Sequence, residues 1–192
     1  MTTHASFAVV AAALLLAGPP SALCQTFQER LTTCLACHGE KGQSQTPTVP
    51  SLGGQPAFYV LIQLVMFRDG MRVVEPMNEQ LKGASDDDLR NMAELISKLP
   101  PPAPPPPDDR ARIERAQALV HEHRCNFCHT ANFTGHENVP RLAGQREDYL
   151  VKSLRDYKSN VRRGYEPWMS NVLYAISDPE IVDLAYFLAH AR

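Results

Sequence analysis

Cys34-Leu35-Ala36-Cys37-His38 and Cys125-Asn126-Phe127-Cys128-His129 decide the reading of this chain. Each is a Cys-x-x-Cys-His motif, the pattern of covalent haem attachment. Two thiols add across the haem vinyl groups, and the adjacent imidazole reaches the iron from the same side. The spacing is set by a helical turn that presents both sulfurs and the ring to one porphyrin edge. A structural disulfide, a zinc site and a thioredoxin-like redox pair are the competing readings. Zinc needs four ligands, and neither half has a second Cys pair. A thioredoxin-like pair needs a βαβ setting, for which the sequence offers no strand pattern. The doubled motif therefore implies two covalently bound haem c groups.

Outward from the motifs, the chain repeats itself. Pro50-Ser51-Leu52-Gly53-Gly54-Gln55 returns ninety positions later as Pro140-Arg141-Leu142-Ala143-Gly144-Gln145. Tyr59 matches Tyr149, Leu64 matches Leu154 and Arg72 matches Arg162. Glu75-Pro76-Met77 corresponds to Glu166-Pro167-Trp168-Met169, and Ser85-Asp86 to Ser177-Asp178. Between the halves, Pro100-Pro101-Pro102-Ala103-Pro104-Pro105-Pro106-Pro107 fits neither helix interior nor central strand. An extended polyproline helix of these eight residues spans roughly 25 Å. The expected organisation is a signal peptide over 1–24, one domain over 25–99, a linker over 100–107 and a second domain over 108–192.

Within each half the patterns are helical. Ala57 to Arg68 and Glu147 to Lys158 carry apolar residues at three- and four-residue spacing. Ser85 and Ser177, each followed by acids, read as N-caps. The helices they open are expected to bury Leu89, Met92, Leu95, Ile96 and Leu99 in one half. Ile181, Leu184, Phe187 and Leu188 play that part in the other. No alternating run supports a strand, so the fold class is all-α. Helical units of about 80 residues have small cores and commonly need a covalent or metal staple.

The N-terminus reads as an export signal. Phe7 to Ala17 is uninterruptedly apolar, too short to span a bilayer, and is broken by Gly18-Pro19-Pro20. The segment before it has His4 but no Lys or Arg. Cleavage after Cys24 places small residues at Ala22 and Cys24; lipidation of Cys24 is the less favoured alternative, because Leu23 is large for that motif. The expectation is an exported, periplasmic protein with no membrane anchor in the mature chain. A formal charge of −2, with acids and bases balanced along the chain, gives no sign of a nucleic-acid partner.

Haem iron needs a sixth ligand or an open position. Met169 is the only Met of the second half, and its repeat partner is Met77; they follow His129 and His38 by 40 and 39 positions. Met66, Met71 and Met92 align with non-Met residues and read as core or surface. Core filling is the ordinary role of a lone Met, but the repeat favours ligation by Met77 and Met169. After signal removal His38 is the only histidine of the first half, which disfavours bis-His ligation there. His121, His123, His136 and His190 read as surface or structural, and lysine ligation has no positional support. A ligating His donates its other ring N–H to a carbonyl. Pro50 and Pro140 lie in matched loops where their carbonyls fit that role, although a turn alone also accounts for a proline. Arg72 and Arg162 precede the Met loops and are candidates for pairing with haem propionates, against a solvated role.

Taken together, Gly54-Gln55-Pro56, Tyr59 through Gln63-Leu64, Phe67-Arg68-Asp69-Gly70-Met71-Arg72, and the Met followed by Ser-Asp and a terminal helix resemble the dihaem cytochromes c4, within the class I cytochromes c. The resemblance spans nearly all of the mature chain and implies two tandem class I cytochrome c domains joined by the proline-rich linker. It implies His38 and His129 as proximal ligands, Met77 and Met169 as distal ones, thioether links at Cys34, Cys37, Cys125 and Cys128, and Pro50 and Pro140 carbonyls on the imidazoles. The implied role is periplasmic electron transfer, with redox protein partners such as a quinol-oxidising cytochrome complex and a terminal oxidase, and no catalytic residue of its own. A dihaem subunit accepting electrons from a bound dehydrogenase is the alternative. A peroxidase or gas-binding protein needs a vacant position, against which the two matched Met residues argue. Three features depart from the family: the first helix, beginning near Phe27, is short, Glu94 stands where the repeat has Tyr186, and the linker is long and stiff. The linker leaves two arrangements open, a strut that holds the domains apart or one that wraps the surface of docked domains; the resemblance favours docking, and proline's fixed φ makes a defined linker geometry cheap to order.

Overall fold

The apolar spacings and Ser caps of the two halves become two copies of one helical arrangement in the computed structural model, which describes residues 27–163 and 167–192. The export signal, Cys24 and Glu166 of the Met-loop repeat lie outside the described residues. In the first half α1 (Phe27–His38), α2 (Ala57–Arg68), α3 (Glu75–Leu81) and α4 (Asp86–Ser97) follow one another. The second half has α5 (Arg110–Glu122), α6 (Cys125–His129), α7 (Glu147–Lys158), α8 (Trp168–Tyr174) and α9 (Asp178–His190). The chain is all-α: among the described residues the one β feature is an isolated bridge between His136 and Val139. No helix among them is long and apolar enough to cross a membrane.

The repeat maps α2 onto α7, α3 onto α8 and α4 onto α9. α1 corresponds to α5 plus α6, because Arg124 adopts a left-handed conformation (φ 53°, ψ 37°) and cuts the second copy in two. Ser85 and Ser177 each close a capping box, with Asp88 and Glu180 as reciprocal acceptors. α1 and α2 pack on α4 in one half, α5 and α7 on α9 in the other. Leu89, Met92 and Ile96 are buried in one core, with Leu95 half-buried against it. Ile181, Leu184 and Leu188 are buried in the other, with Phe187 packed against that core at its edge. Met66 and Met92 are buried and Met71 is exposed.

The halves dock, and the linker lies against both. The Gly54 N–H donates to Leu99 O and the Gly144 N–H to Leu188 O, at 2.9 and 3.0 Å. A Cβ at Gly53 would sit 2.0 Å from Pro100 O, so only glycine lets the linker's first carbonyl approach. Gly144, at φ +72°, lies under Pro102 and Pro104. The linker's far end is held by Tyr186, whose hydroxyl accepts from the N–H groups of Asp108 and Asp109 and donates to the Asp108 carboxylate. Arg112 stacks over the Tyr186 ring, 4.0 Å from its centroid. Glu94, its counterpart in the first half, is exposed. The difference has a physical reason: the linker enters the second half beside α9, and an aromatic hydroxyl there anchors it.

Candidate metal centres

His38 closes the last turn of α1 and His129 closes α6, so each imidazole sits where its helix ends against a loop. Both are buried, at 6% and 5% exposure. His38 Nδ1 lies 2.8 Å from Pro50 O, and His129 Nδ1 lies 3.1 Å from Pro140 O. A carbonyl only accepts, so Nδ1 carries the proton in each ring and Nε2 presents a bare lone pair. Burial pushes both imidazoles below their ordinary pKa, against the opposing carbonyl hydrogen bond, and His136 pushes His129 further the same way. A neutral imidazole with a free Nε2 is a ready metal ligand.

Cys37 and Cys128 are exposed, while Cys34 and Cys125 are half-buried. Burial pushes the Cys34 and Cys125 thiols up. A thioredoxin-like pair needs a βαβ setting, and the described residues form helices with only an isolated bridge between His136 and Val139. Among the described residues no three His, Cys, Asp or Glu side chains gather as a metal-binding group.

Met77 lies in the first turn of α3 and Met169 in that of α8, each half-buried against its own core. The two loops are held differently. Asn78 accepts from the Val74 N–H at 2.6 Å and donates to Phe67 O and Arg72 O at 2.6 and 2.9 Å. In the second half Lys158 donates to the carbonyls of Leu173, Tyr174 and Ile176. Both holders escaped the sequence reading; Lys158 alone carried a signal, as the repeat counterpart of Arg68, which reaches Ala84 O and Asp86.

Arg72 and Arg162 meet at the boundary between the halves. Arg162, 7% exposed, donates to Tyr149 and Ser153 of its own half and to Tyr59 of the other, at 3.1, 2.9 and 3.1 Å. Arg72 donates to Gln63 at 2.6 Å and to Tyr149 at 3.4 Å. Burial alone would raise the Tyr149 hydroxyl, but the Arg162 and Arg72 guanidiniums outweigh it and push it down to about 7. Tyr59 goes the other way, pushed up chiefly by burial. The tyrosines were visible as a repeat-matched pair, without a role.

Gln55 and Gln145 are the second matched pair whose role the sequence hid. Gln145 Oε1 accepts from the Ser51 N–H and its Nε2 donates to Ser51 O, both at 2.8 Å. Gln55 does the same to Arg141, at 3.1 and 2.9 Å. Each half thus grips the other's loop with one buried amide.

The protein-family model described as Cytochrome c matches residues 113–192. Cytochrome c-554(548) of Halomonas halodenitrificans is 36% identical over 73 residues, covering 36% of this chain and 88% of that protein. Cytochrome c4 of Pseudomonas aeruginosa is 27% identical over 172 residues, covering 84% of this chain and 85% of the relative. The chain belongs to the cytochrome c4 family of class I c-type cytochromes. The crystal structure of reduced cytochrome c4 from Pseudomonas stutzeri superposes with a TM-score of 0.79 at 27% identity, over 86% of this chain and 97% of that one.

As a cytochrome c4 homologue, the protein is a dihaem electron-transfer cytochrome with two covalently bound haem c groups. Its residues fit that cofactor. Each half offers one imidazole with a bare Nε2 beside two free thiols. Val73 and Val74 beside one Met loop, and Val161 and Trp168 beside the other, are exposed apolar side chains suited to a macrocycle. Arg162 Nε is buried with no hydrogen-bond partner, and no carboxylate is among the groups Arg162 does bond. A buried guanidinium with a free Nε suits an anion, and a haem propionate would be one.

Proposed function

We propose that this cytochrome is exported to the periplasm and carries single electrons between respiratory-chain partners, a quinol-oxidising cytochrome complex and a terminal oxidase. Each half uses its own ligand set. Cys34 and Cys37 would hold the first haem through thioethers, with His38 and Met77 as the side chains that would bind its iron. Cys125, Cys128, His129 and Met169 would do the same in the second. Each bound haem supplies a reversible one-electron ferric–ferrous couple, which methionine ligation shifts towards high potential. Everything else falls to the protein. The Pro50 and Pro140 carbonyls hold the Nδ1 protons, which fixes the ring planes. Asn78 and Lys158 hold the Met loops, so that little rearranges when the charge changes. Arg72 and Arg162, at the boundary between the halves, would neutralise haem propionates.

The observation that carries this reading is the duplicated imidazole, buried and held at Nδ1 by a loop carbonyl so that Nε2 is left bare. The test is a visible spectrum of the purified protein in both redox states with a potentiometric titration. The expected result is two low-spin haems, the weak band near the red end that reports Met–iron bonding, and a free chain taking up two electrons. High-spin haem without added ligand, or peroxidase turnover, would replace the carrier with an enzyme. Stable co-purification of a dehydrogenase would make the chain its electron-accepting subunit.

A further inference from the structure

The two glutamine clasps do more than join the halves, because of which peptide groups they grip. Ser51 N–H and Pro50 C=O belong to one peptide unit. His38 Nδ1–H donates to that unit's oxygen at 2.8 Å, and the unit's N–H donates to Gln145 Oε1 at 2.8 Å. In the other half His129 Nδ1–H donates to Pro140 O at 3.1 Å, and the Arg141 N–H donates to Gln55 Oε1 at 3.1 Å. In a trans peptide the C=O and N–H point in opposite directions, so each set runs head to tail: imidazole, peptide, then the amide of the opposite half. Ser51, Gln55 and Gln145 are buried, at 4%, 6% and 5% exposure, and Pro50, Pro140 and Arg141 are half-buried. Hydrogen bonds so aligned polarise one another, and low dielectric strengthens the effect.

We propose that Gln145 and Gln55 are positioning residues for the axial imidazoles of the opposite half: Gln145 sets the strength of the His38–Pro50 bond, and Gln55 that of the His129–Pro140 bond. The inference rests on His38 and His129 being iron ligands. An acceptor on the Ser51 N–H draws electron density onto Pro50 O, which becomes a better partner for Nδ1–H. The imidazole gains basicity and favours the ferric state. Removing the amide therefore raises the potential of the haem in the other half. Each site is tuned from across the boundary, and the tuning lasts only while the halves are docked.

The experiment uses the full-length holoprotein with Gln145→Leu and Gln55→Leu, one at a time. NMR of the ferrous state reads the imidazole protons, and a redox titration followed through the same resonances assigns a potential to each haem. The expected result is crossed. Gln145→Leu moves the His38 Nδ1–H resonance and raises the first-half potential by at least threefold in the redox equilibrium, about 28 mV at 59 mV per decade. The second half stays unmoved, and Gln55→Leu does the converse. Equal shifts in both haems, a shift confined to the substituted half, or no shift would overturn the proposal. Should Gln145→Leu fail to mature, Gln145→Asn, which withdraws the amide by one methylene, is read the same way. The ligand assignment is judged separately: in the unaltered protein the carbon-bound ring protons of His38 and His129 must carry upfield haem ring-current shifts.

Discussion

Met77 and Met169 hold equivalent places in α3 and α8, and each packs at the edge of its own core. On the proposed ligand assignment, replacing either with Ala removes one iron ligand without touching the other half. Met77→Ala and Met169→Ala should each abolish about half of the red-end band and convert one haem in two to a high-spin or externally ligated form. Met71, 58% exposed, serves as the control, since Met71→Ala should leave the spectrum unchanged. A loss with Met71→Ala and none with Met77→Ala would reverse the assignment. At this scale the matched Met, Pro and Cys-x-x-Cys-His positions were legible in the sequence, because their chemistry is local or repeats at a fixed offset. The roles of Gln55 and Gln145 were not. Their partners are backbone atoms 86 and 94 residues away, and a backbone acceptor leaves no trace in side-chain identity.

At the scale of helices, α5 and α9 are tied by charge as well as packing. Asp183 on α9 bonds Arg112 and Arg115 of α5 at 3.2 and 2.6 Å, and Arg112 also reaches Glu147 of α7 at 2.9 Å. The Arg115 hydrogen bond, outweighing burial, holds the Asp183 carboxyl below the ordinary carboxylate range, with Arg112 helping. A carboxylate depressed in the folded state stabilises it fully above its unfolded pKa of about 4, and that contribution is lost as pH falls through the folded value. Asp183→Asn should therefore cost about 1–3 kcal/mol at pH 7, and the gap from the unaltered protein should close in acid. Denaturant midpoints at several pH values check this; a gap that persists at pH 2 would assign the loss to packing. Of the helices around this network, α7 follows from its apolar spacing and α9 from its Ser177 cap, whereas α5, capped by Asp109, was not among the expected helices. The break between α5 and α6 does not follow either, because a left-handed Arg124 has no composition signal of the kind glycine gives.

For the whole molecule, docking depends on contacts that salt reaches poorly. The clasps are neutral amides on backbone groups, and Arg162 is buried between tyrosines. Screening acts mainly on exposed charges. Small-angle scattering should show one compact envelope at both low and high ionic strength; separate lobes at either would defeat the docked arrangement. Gly53→Ala should loosen it, since a methyl there meets Pro100 O. The proline run had left two arrangements open, a strut holding the halves apart or one wrapped along the surface. Polyproline geometry is the same in both, and the glycines that seat it decide the matter only once the loops are folded.

The reciprocal grip of Gln55 on Arg141 and Gln145 on Ser51 makes this boundary self-complementary, isologous in all but its covalent connection. A chain cut between Pro104 and Pro105 would present two matching faces in search of each other, as the protomers of a dimer do. The uncut linker replaces that bimolecular encounter with a local concentration of order millimolar, set by the length of the tether. The affinity of the faces then need not survive dilution in a large compartment.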